Sequence, residues 1–268
     1  MQLAITETKY KKEFYYYQED AIIGKSLEWY GEYQEGEIEF LQNTSLQIQA
    51  HDKKPIVAWD IGANIGSHTT AFAGWSQEVH AFEAHPDNYK LLELNAKDID
   101  NAYLYNYAVG NGTEPLAMSP LDQIEELNNF GFARISDRGL KVMQMRLDDH
   151  SKVITPPTVI KMDVEGYEIH ALNGAEKTII EHKPLMSIEG MEHTEDIIRW
   201  FDGKGYNLYW GALKNFNPGN FKNNQNLFLV ESSAIFTILA CRYPCMELEG
   251  RHKILDHNDH WSRLTTPE

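Results

Sequence analysis

The segment from Ile56 to Glu83 constrains the fold more than any other part of this chain. An apolar run, 56–59, ends at Asp60 and is followed by a turn with glycine at positions 62 and 66. A second apolar run, 79–82, ends at Glu83. Glycine permits a positive φ or a close backbone approach, and the helix start beyond such a turn presents unpaired N–H groups. The segment therefore predicts a strand, a turn, a helix and a second strand that ends in an acid.

The position of Glu83 indicates what the turn binds. Glu83 follows the glycines by about 20 residues, the spacing of an acid that hydrogen-bonds a ribose hydroxyl pair. The turn itself reads DIGANIG, with two glycines instead of the three that a dinucleotide-binding turn uses. Asp60 offers a carboxylate for an ammonium group, and the backbone of 62–64 offers N–H groups for a carboxylate. The predicted ligand is S-adenosylmethionine, and the alternative is a capped turn that binds nothing.

Four further motifs follow in the chain: FEAHPDN at 82–88, Asn106-Tyr107-Ala108, KMDVEGYE at 161–168 and IEG at 188–190. In this order the motifs closely resemble the FkbM-like family of S-adenosylmethionine-dependent methyltransferases, over residues 31 to 230. The resemblance implies an α/β, Rossmann-like class I methyltransferase fold, with about seven mostly parallel strands and helices on both faces. It also implies methyl transfer to a hydroxyl, commonly of a sugar, glycan or glycosylated metabolite.

The turn and the family motifs together give the candidate cofactor-binding residues. These are Asp60, Gly62, Ala63, Asn64, Ile65, Gly66, Glu83, Ala84, Asn88, Tyr107, Ala108 and Asp163. One alternative function is a nicotinamide-dependent oxidoreductase, which the missing third glycine disfavours. The other is a non-catalytic S-adenosylmethionine-binding module, which the acids at 163 and 189 disfavour.

Acids end four of the predicted strands: Asp60, Glu83, Asp163 and Glu189. In open α/β sheets the ligand lies beyond the carboxyl ends of the strands, so these acids are expected to converge on one crevice. Asp163 is the first candidate for the base that takes the acceptor's proton, and His193 is the second. Alternatively, Asp163 with Glu189 or His193 binds Mg²⁺ or Mn²⁺, which lowers the hydroxyl pKa. The non-catalytic alternatives are that Asp163 and Glu165 cap the following helix, and that His193 lies at a solvated helix start.

Charge and hydropathy limit the partners. The formal net charge is −16, and the basic run at 9–12 is the longest in the chain. Such a field repels nucleic-acid phosphates, so a nucleic-acid methyltransferase is disfavoured. No stretch reaches the roughly 18 apolar residues of a membrane span, and residues 1–7 lack a secretory pattern. We therefore expect a soluble, cytoplasmic protein with a small-molecule or glycan acceptor.

No Pro/Gly/Ser-rich linker divides the 268 residues. The predicted organisation is an N-terminal helical cap (1–50), a methyltransferase domain (51–231) and a C-terminal extension (232–268). Apolar residues at 38, 41, 46 and 48 predict a short amphipathic helix in the cap. The aromatic run 14–17 is expected in the core or at a homodimer contact, or else stacked on sugar faces. The loop 128–134 is either a lid over the acceptor or a surface excursion.

The remaining pattern predicts strands at 102–109, 116–118, 141–147, 158–163 and 185–189, a helix at 166–180, another from 196, and a closing hairpin of 206–210 with 227–230. Cys241 and Cys245 are interpreted as ordinary thiols, since a zinc site needs two more ligands and a redox pair is usually CxxC. The nearby His252, His257 and His260 leave a metal site open as the alternative.

Overall fold

The computed structural model describes residues 1–124, 129–189, 193–214, 216–227, 234–243 and 252–259. The strands are β1 (Leu3–Thr6), β2 (Phe14–Tyr17), β3 (Val57–Ile61), β4 (Glu78–Phe82), β5 (Ala102–Tyr105), β6 (Ala108–Val109), β7 (Leu116–Met118), β8 (Ile135–Ser136), β9 (Leu140–Val142), β10 (Gln144–Met145), β11 (Val159–Met162), β12 (Leu185–Glu189), β13 (Asn207–Lys214), β14 (Ala234–Cys241) and β15 (His252–Lys253). The helices are α1 (Ile23–Tyr30), α2 (Glu35–Asp52), α3 (Ser67–Ala73), α4 (Pro86–Ala96), α5 (Glu168–Gly174), α6 (Glu176–His182) and α7 (Thr194–Trp200). None of these helices is long and apolar enough to cross a bilayer.

Eight strands form the main sheet, in the order β15-β13-β14-β12-β11-β3-β4-β5. Strands β12, β11, β3, β4 and β5 run parallel, whereas β14 is antiparallel to both β12 and β13. The chain runs outward from β3 through β4 and β5 and later returns to β11 on the other side of β3. Open α/β sheets bind their ligands at such a reversal of strand order. The predicted Rossmann-like fold with a mostly parallel sheet is confirmed.

Successive residues of each central strand face two different cores. Val57, Trp59 and Ile61 pack with α5, α6 and α7 on one face of the sheet. Ala58 packs with α2 and α3 on the other face. Because side chains alternate along a strand, Asp60 also faces α2 and α3. Helices therefore cover both faces, as predicted.

The N-terminal segment is only partly helical, in contrast to the predicted helical cap. Strands β1 and β2 pair before α1 begins. Phe14, Tyr16 and Tyr17 of β2 are buried in a core shared with α1 and α4, so the aromatic run is core packing. The predicted short helix is the 18-residue α2. Ile38 lies on its buried face, whereas Leu46 is exposed.

Two predicted strands are divided because part of each pairs outside the main sheet. The strand predicted at 102–109 leaves the sheet after Tyr105. There Asn106 donates hydrogen bonds to the carbonyl oxygens of Glu83 and Ala84, at 2.8 and 3.2 Å. The chain then forms β6, which pairs with β10 in a separate two-stranded sheet. The strand predicted at 141–147 is accordingly split into β9 and β10.

Two other predictions need correction. The helix predicted at 166–180 is interrupted at Ala175, whose φ of −121° separates α5 from α6. The partner of β13 is β14, which inserts beside β12, and not the segment 227–230. Leu227 is exposed outside any strand, and 228–230 lie outside the described residues. Since β14 and β15 belong to the main sheet, that sheet extends beyond residue 231 into the segment predicted as an extension.

Candidate active site

A cleft of about 1050 Å³, which includes its open mouth, lies beyond the carboxyl ends of β3, β4, β11 and β12. Its lining joins the turn after β3, the acids at the strand ends, Tyr33, and the segment 129–135. Of the four acids predicted to converge, Glu83, Asp163 and Glu189 line the cleft. Three of the four predicted acids therefore converge on one cleft, and Asp60 does not line it.

The glycines of the turn are required by packing within the protein. Gly62 has a φ of 84°, and a Cβ there would lie 1.7 Å from the backbone oxygen of Asp163. Gly66 has a φ of 96°, and its Cβ would meet the side chain of Leu92 at 2.8 Å. Only a glycine lets β3 turn so tightly against the end of β11. Both glycines thus have the positive φ expected of this turn. The backbone of Gly62 also lines the cleft, whereas Gly66 does not line it.

Glu83 bridges the two loops that follow β3 and β4. Its Oε2 accepts the N–H of Asn64 at 2.8 Å, and its Oε1 accepts the N–H of His85 at 2.7 Å. Burial raises the pKa of Glu83 to about 7 and outweighs the opposing effect of these two hydrogen bonds. Each carboxylate oxygen keeps one further lone pair for a ligand.

Asp60 does not line the cleft, in contrast to its predicted contact with an ammonium group. It is fully buried, and its Oδ2 accepts the hydroxyl of Thr69 in α3 at 2.6 Å. In the sheet it lies directly beside Lys161 of β11. The carboxylate of Asp60 therefore links the end of β3 to α3 and does not contact the cleft.

Lys161 is a buried cation of the cleft and was not among the predicted site residues. Its side chain is 4% exposed, and its Nζ is 3.0 Å from Oδ2 of Asp163. Burial disfavours the charged ammonium, but the carboxylates of Asp163, Asp60, Glu37 and Glu189 outweigh that cost and raise the pKa of Lys161. The signal was a lysine within the otherwise apolar β11.

The three carboxyl groups on this side of the cleft are not equivalent. Asp163 is 21% exposed on its side chain and is paired with Lys161. Burial, followed by the nearby charges of Asp163 and Glu168, raises the pKa of Glu165 to about 8. Burial and the charge of Asp163 likewise raise the pKa of Glu189 well above its usual value. The raised pKa values favour the protonated forms of Glu165 and Glu189, which can donate hydrogen bonds.

The structure does not bring His193 into the cleft. It precedes α7 in a left-handed conformation, with a φ of 61°, and its side chain is 55% exposed and 3.9 Å from Asp196. The histidine that does line the cleft is His68 in α3, whose Nε2 is 3.3 Å from Oε2 of Glu37. No local sequence signal marks His68, because its partner comes from α2, 31 positions earlier.

Most of the other candidate cofactor-binding residues do line the cleft: Ala63, Asn64, Ala84, Asn88, Tyr107 and Ala108. Ile65 does not, because it is buried in the core beneath the N-terminal hairpin. The Oδ1 of Asn88 is buried and has no hydrogen-bond partner among the described residues. A buried oxygen of this kind requires a donor, so a ligand can satisfy it.

The segment predicted to be a lid or a surface excursion contributes four described residues to the cleft: Asn129, Gly131, Phe132 and Ala133. The interpretation as a surface excursion is therefore wrong for these residues, and their closure over a ligand stays a prediction. Position 128 lies outside the described residues.

Among the residues that the structure describes, no group of three or more His, Cys, Asp or Glu could hold a metal ion. Cys241 is buried in β14 and is not part of a disulfide with any described residue. Cys245 and His260 lie outside the described ranges.

Solved structures of low sequence identity align with the chain. A methyltransferase FkbM from Methylobacillus flagellatus is 20% identical with a TM-score of 0.45, and the match covers 70% of this chain and 43% of that one. A SAM-dependent methyltransferase from Agrobacterium tumefaciens is 8% identical with a TM-score of 0.48, and the match covers 94% of this chain and 70% of that one.

Sequence comparison identifies the family. A curated relative, hexuronic acid methyltransferase AglP of Haloferax volcanii, is 27% identical over 122 residues, which are 44% of this chain and 49% of the relative. The chain thus spans about half the length of that relative. Residues 60–208 match the family model described as the methyltransferase FkbM domain. Because this match covers more than half of the 268 residues and contains the turn, Glu83 and both acids of β11 and β12, the chain belongs to the FkbM methyltransferase family.

Proposed function

We propose that this protein transfers a methyl group from S-adenosylmethionine to a hydroxyl of a saccharide or a glycosylated metabolite. The observation that carries the proposal is the single cleft that joins the glycine turn and Glu83 to Asp163, Glu165 and Glu189. One half of this cleft suits a nucleoside, and the other half suits a molecule rich in hydroxyl groups.

The nucleoside half would be formed by the backbone of 62–64, Glu83, Ala84, Asn88, Tyr107 and Ala108. Glu83 is held by two backbone amides, so its free lone pairs are fixed in place for two ribose hydroxyls. Asn88 has a buried oxygen that needs a donor. When bound, S-adenosylmethionine supplies an electrophilic methyl group on a sulfonium sulfur.

The acceptor half would be formed by Tyr33, Asn129, Asp163, Glu165 and Glu189. Asp163 offers oxygens that accept hydrogen bonds, and the protonated Glu165 and Glu189 offer donors, a combination that matches the hydroxyls of a sugar. The name of the curated relative supports a saccharide acceptor. The net charge of −16 favours a small acceptor over a nucleic acid.

Thermal shift and calorimetry test the cofactor. We expect S-adenosylmethionine and S-adenosylhomocysteine to bind and NAD not to bind, because the turn lacks the third glycine of a dinucleotide site. Transfer of a labelled methyl group to a library of hydroxylated glycans then tests the acceptor. Stabilisation by NAD alone would contradict the proposal.

Chelation tests the metal alternative. We expect excess EDTA to leave the rate of methyl transfer unchanged, because Asp163 is paired with Lys161 and burial raises the pKa of Glu189, which disfavours its ionised form. These two side chains therefore do not present a pair of free carboxylates to Mg²⁺ or Mn²⁺. If activity collapses in EDTA and returns with either ion, while S-adenosylhomocysteine still binds, the metal-dependent route is correct instead.

A further inference from the structure

The first turn of α3 places His68 in the cleft. The turn after β3 ends at Gly66, so α3 begins at Ser67 immediately beside the proposed cofactor site. The ring of His68 packs edge-on against Phe72, with ring centroids 5.7 Å apart, and lies 6.4 Å from the ring of Tyr33. These contacts fix the plane of the imidazole.

Two buried atoms face each other behind this ring. Nε2 of His68 and Oε2 of Glu37 are 3.3 Å apart, within ion-pair distance, and neither atom makes a hydrogen bond to any described residue in this geometry. The other oxygen of Glu37, Oε1, accepts the hydroxyl of Ser187 at 2.5 Å. Buried polar atoms are nearly always paired, so a proton on Nε2 that points to Oε2 satisfies both.

The charge of Glu37 decides which atom carries that proton. Burial alone would raise the pKa of Glu37, but His68, Lys161 and Ser187 outweigh it, and the pKa is lowered. An ionised carboxylate only accepts hydrogen bonds, so Nε2 must be the donor. A neutral histidine has one proton on its ring, which leaves Nδ1 with a free lone pair.

The other groups near the acceptor half are poorer bases. Asp163 is paired with the ammonium of Lys161, and burial raises the pKa values of Glu165 and Glu189 and so favours their protonated forms. His193 is exposed and does not line the cleft. His68 is the histidine on the cleft, and it comes with a buried carboxylate that orients it.

We infer that His68 takes the proton of the acceptor hydroxyl at Nδ1, and that Glu37 is the positioning residue that fixes its tautomer. This inference rests on the proposed function. In the step, the hydroxyl oxygen bonds to the methyl carbon, the methyl–sulfur bond breaks with its electron pair left on sulfur, and the hydroxyl proton moves to Nδ1. The resulting imidazolium is stabilised by the carboxylate of Glu37, and Ser187 holds that carboxylate in place.

Nitrogen NMR of the histidine side chains tests the tautomer in the protein alone, with the His68 signals assigned by their loss in His68→Asn. At an alkaline pH, where the ring is neutral, we expect the proton on Nε2 and none on Nδ1. In Glu37→Gln the preference should weaken, because an amide can donate as well as accept. A wild-type ring protonated on Nδ1 would overturn the inference whether or not an acceptor is known.

Kinetics test the proton transfer itself. We expect His68→Asn to lower kcat by ~10²-fold or more, with the affinity for S-adenosylhomocysteine within about twofold of wild type, while the exposed His150→Asn keeps full activity. An undiminished kcat in His68→Asn contradicts the inference. If the wild-type protein methylates no acceptor at all, the proposed function fails, and the NMR result alone decides whether His68 is arranged as a base.

Discussion

Replacing Lys161 by methionine is expected to lower the free energy of unfolding by about 3–5 kcal/mol, the usual cost of removing one partner from a buried ion pair. Lys161 lies between Asp60 and Ser187 in the register of the sheet, and its ammonium is 3.0 Å from Asp163. Methionine fills a similar volume, so the loss comes mainly from charge. Asp60 and Glu37 remain buried without the cation that compensates them. Denaturant unfolding of the variant and the wild type measures the difference.

The pH dependence of this difference identifies its electrostatic origin. The pKa of Lys161 is raised above the ordinary 10.5, so on the alkaline side its stabilising effect is complete below that value and is lost as the pH rises toward the higher pKa of the folded state. In acid the wild type and the variant should converge, because protonation removes the uncompensated carboxylate charges. The exposed Lys177→Met in α6 is the matched control and should change stability by less than about 0.5 kcal/mol. A loss in Lys161→Met that does not vary with pH would point to packing instead.

The sequence predicted the central strands and helices well because their signals are local. The run 56–59 became part of β3, and the acids at 83, 163 and 189 reached one cleft. What failed depends on partners far along the chain. The predicted strand 102–109 was cut by side-chain hydrogen bonds from Asn106 to the loop after β4, which no window of residues around it reveals.

The same distinction holds within the site. Glu83 was predictable from its spacing after the glycines, and the structure places it in the cleft. His68 was not, because its partner Glu37 reaches it from α2. Lys161 was not, because the carboxylates that raise its pKa include Asp60 and Glu37, which lie far from it in the sequence, as well as the nearby Asp163. Asp60 illustrates the opposite error: its place in the motif suggested a ligand contact, but strand alternation directs it toward α3 and Thr69. Sequence motifs located the cleft, and tertiary packing determined which side chains face it.

Truncation of Glu83 is expected to weaken the binding of S-adenosylhomocysteine by roughly 10- to 150-fold, because charged hydrogen bonds of this kind contribute about 1.5–3 kcal/mol. Calorimetry on Glu83→Ala and Glu83→Gln measures the loss, and Glu93→Gln, an exposed acid on α4, controls for the change in charge. Glu83 also accepts the N–H groups of Asn64 and His85. The unfolding free energy of each variant therefore has to be measured beside its affinity. A loss below about twofold in both folded variants would place the ribose elsewhere.

The affinity should also depend on pH in a direction that Glu83 sets. Ribose hydroxyls donate to a carboxylate better than to a carboxylic acid. The pKa of Glu83 in the free protein is raised to about 7, so binding has to expel a proton below that pH and should strengthen as the pH rises through it. Glu165 and Glu189 remain in both proteins, so only the part of the pH dependence that disappears in Glu83→Gln belongs to Glu83. If the two proteins show the same pH dependence, the proton is released from one of those other acids, and Glu83 is already ionised before the ligand arrives.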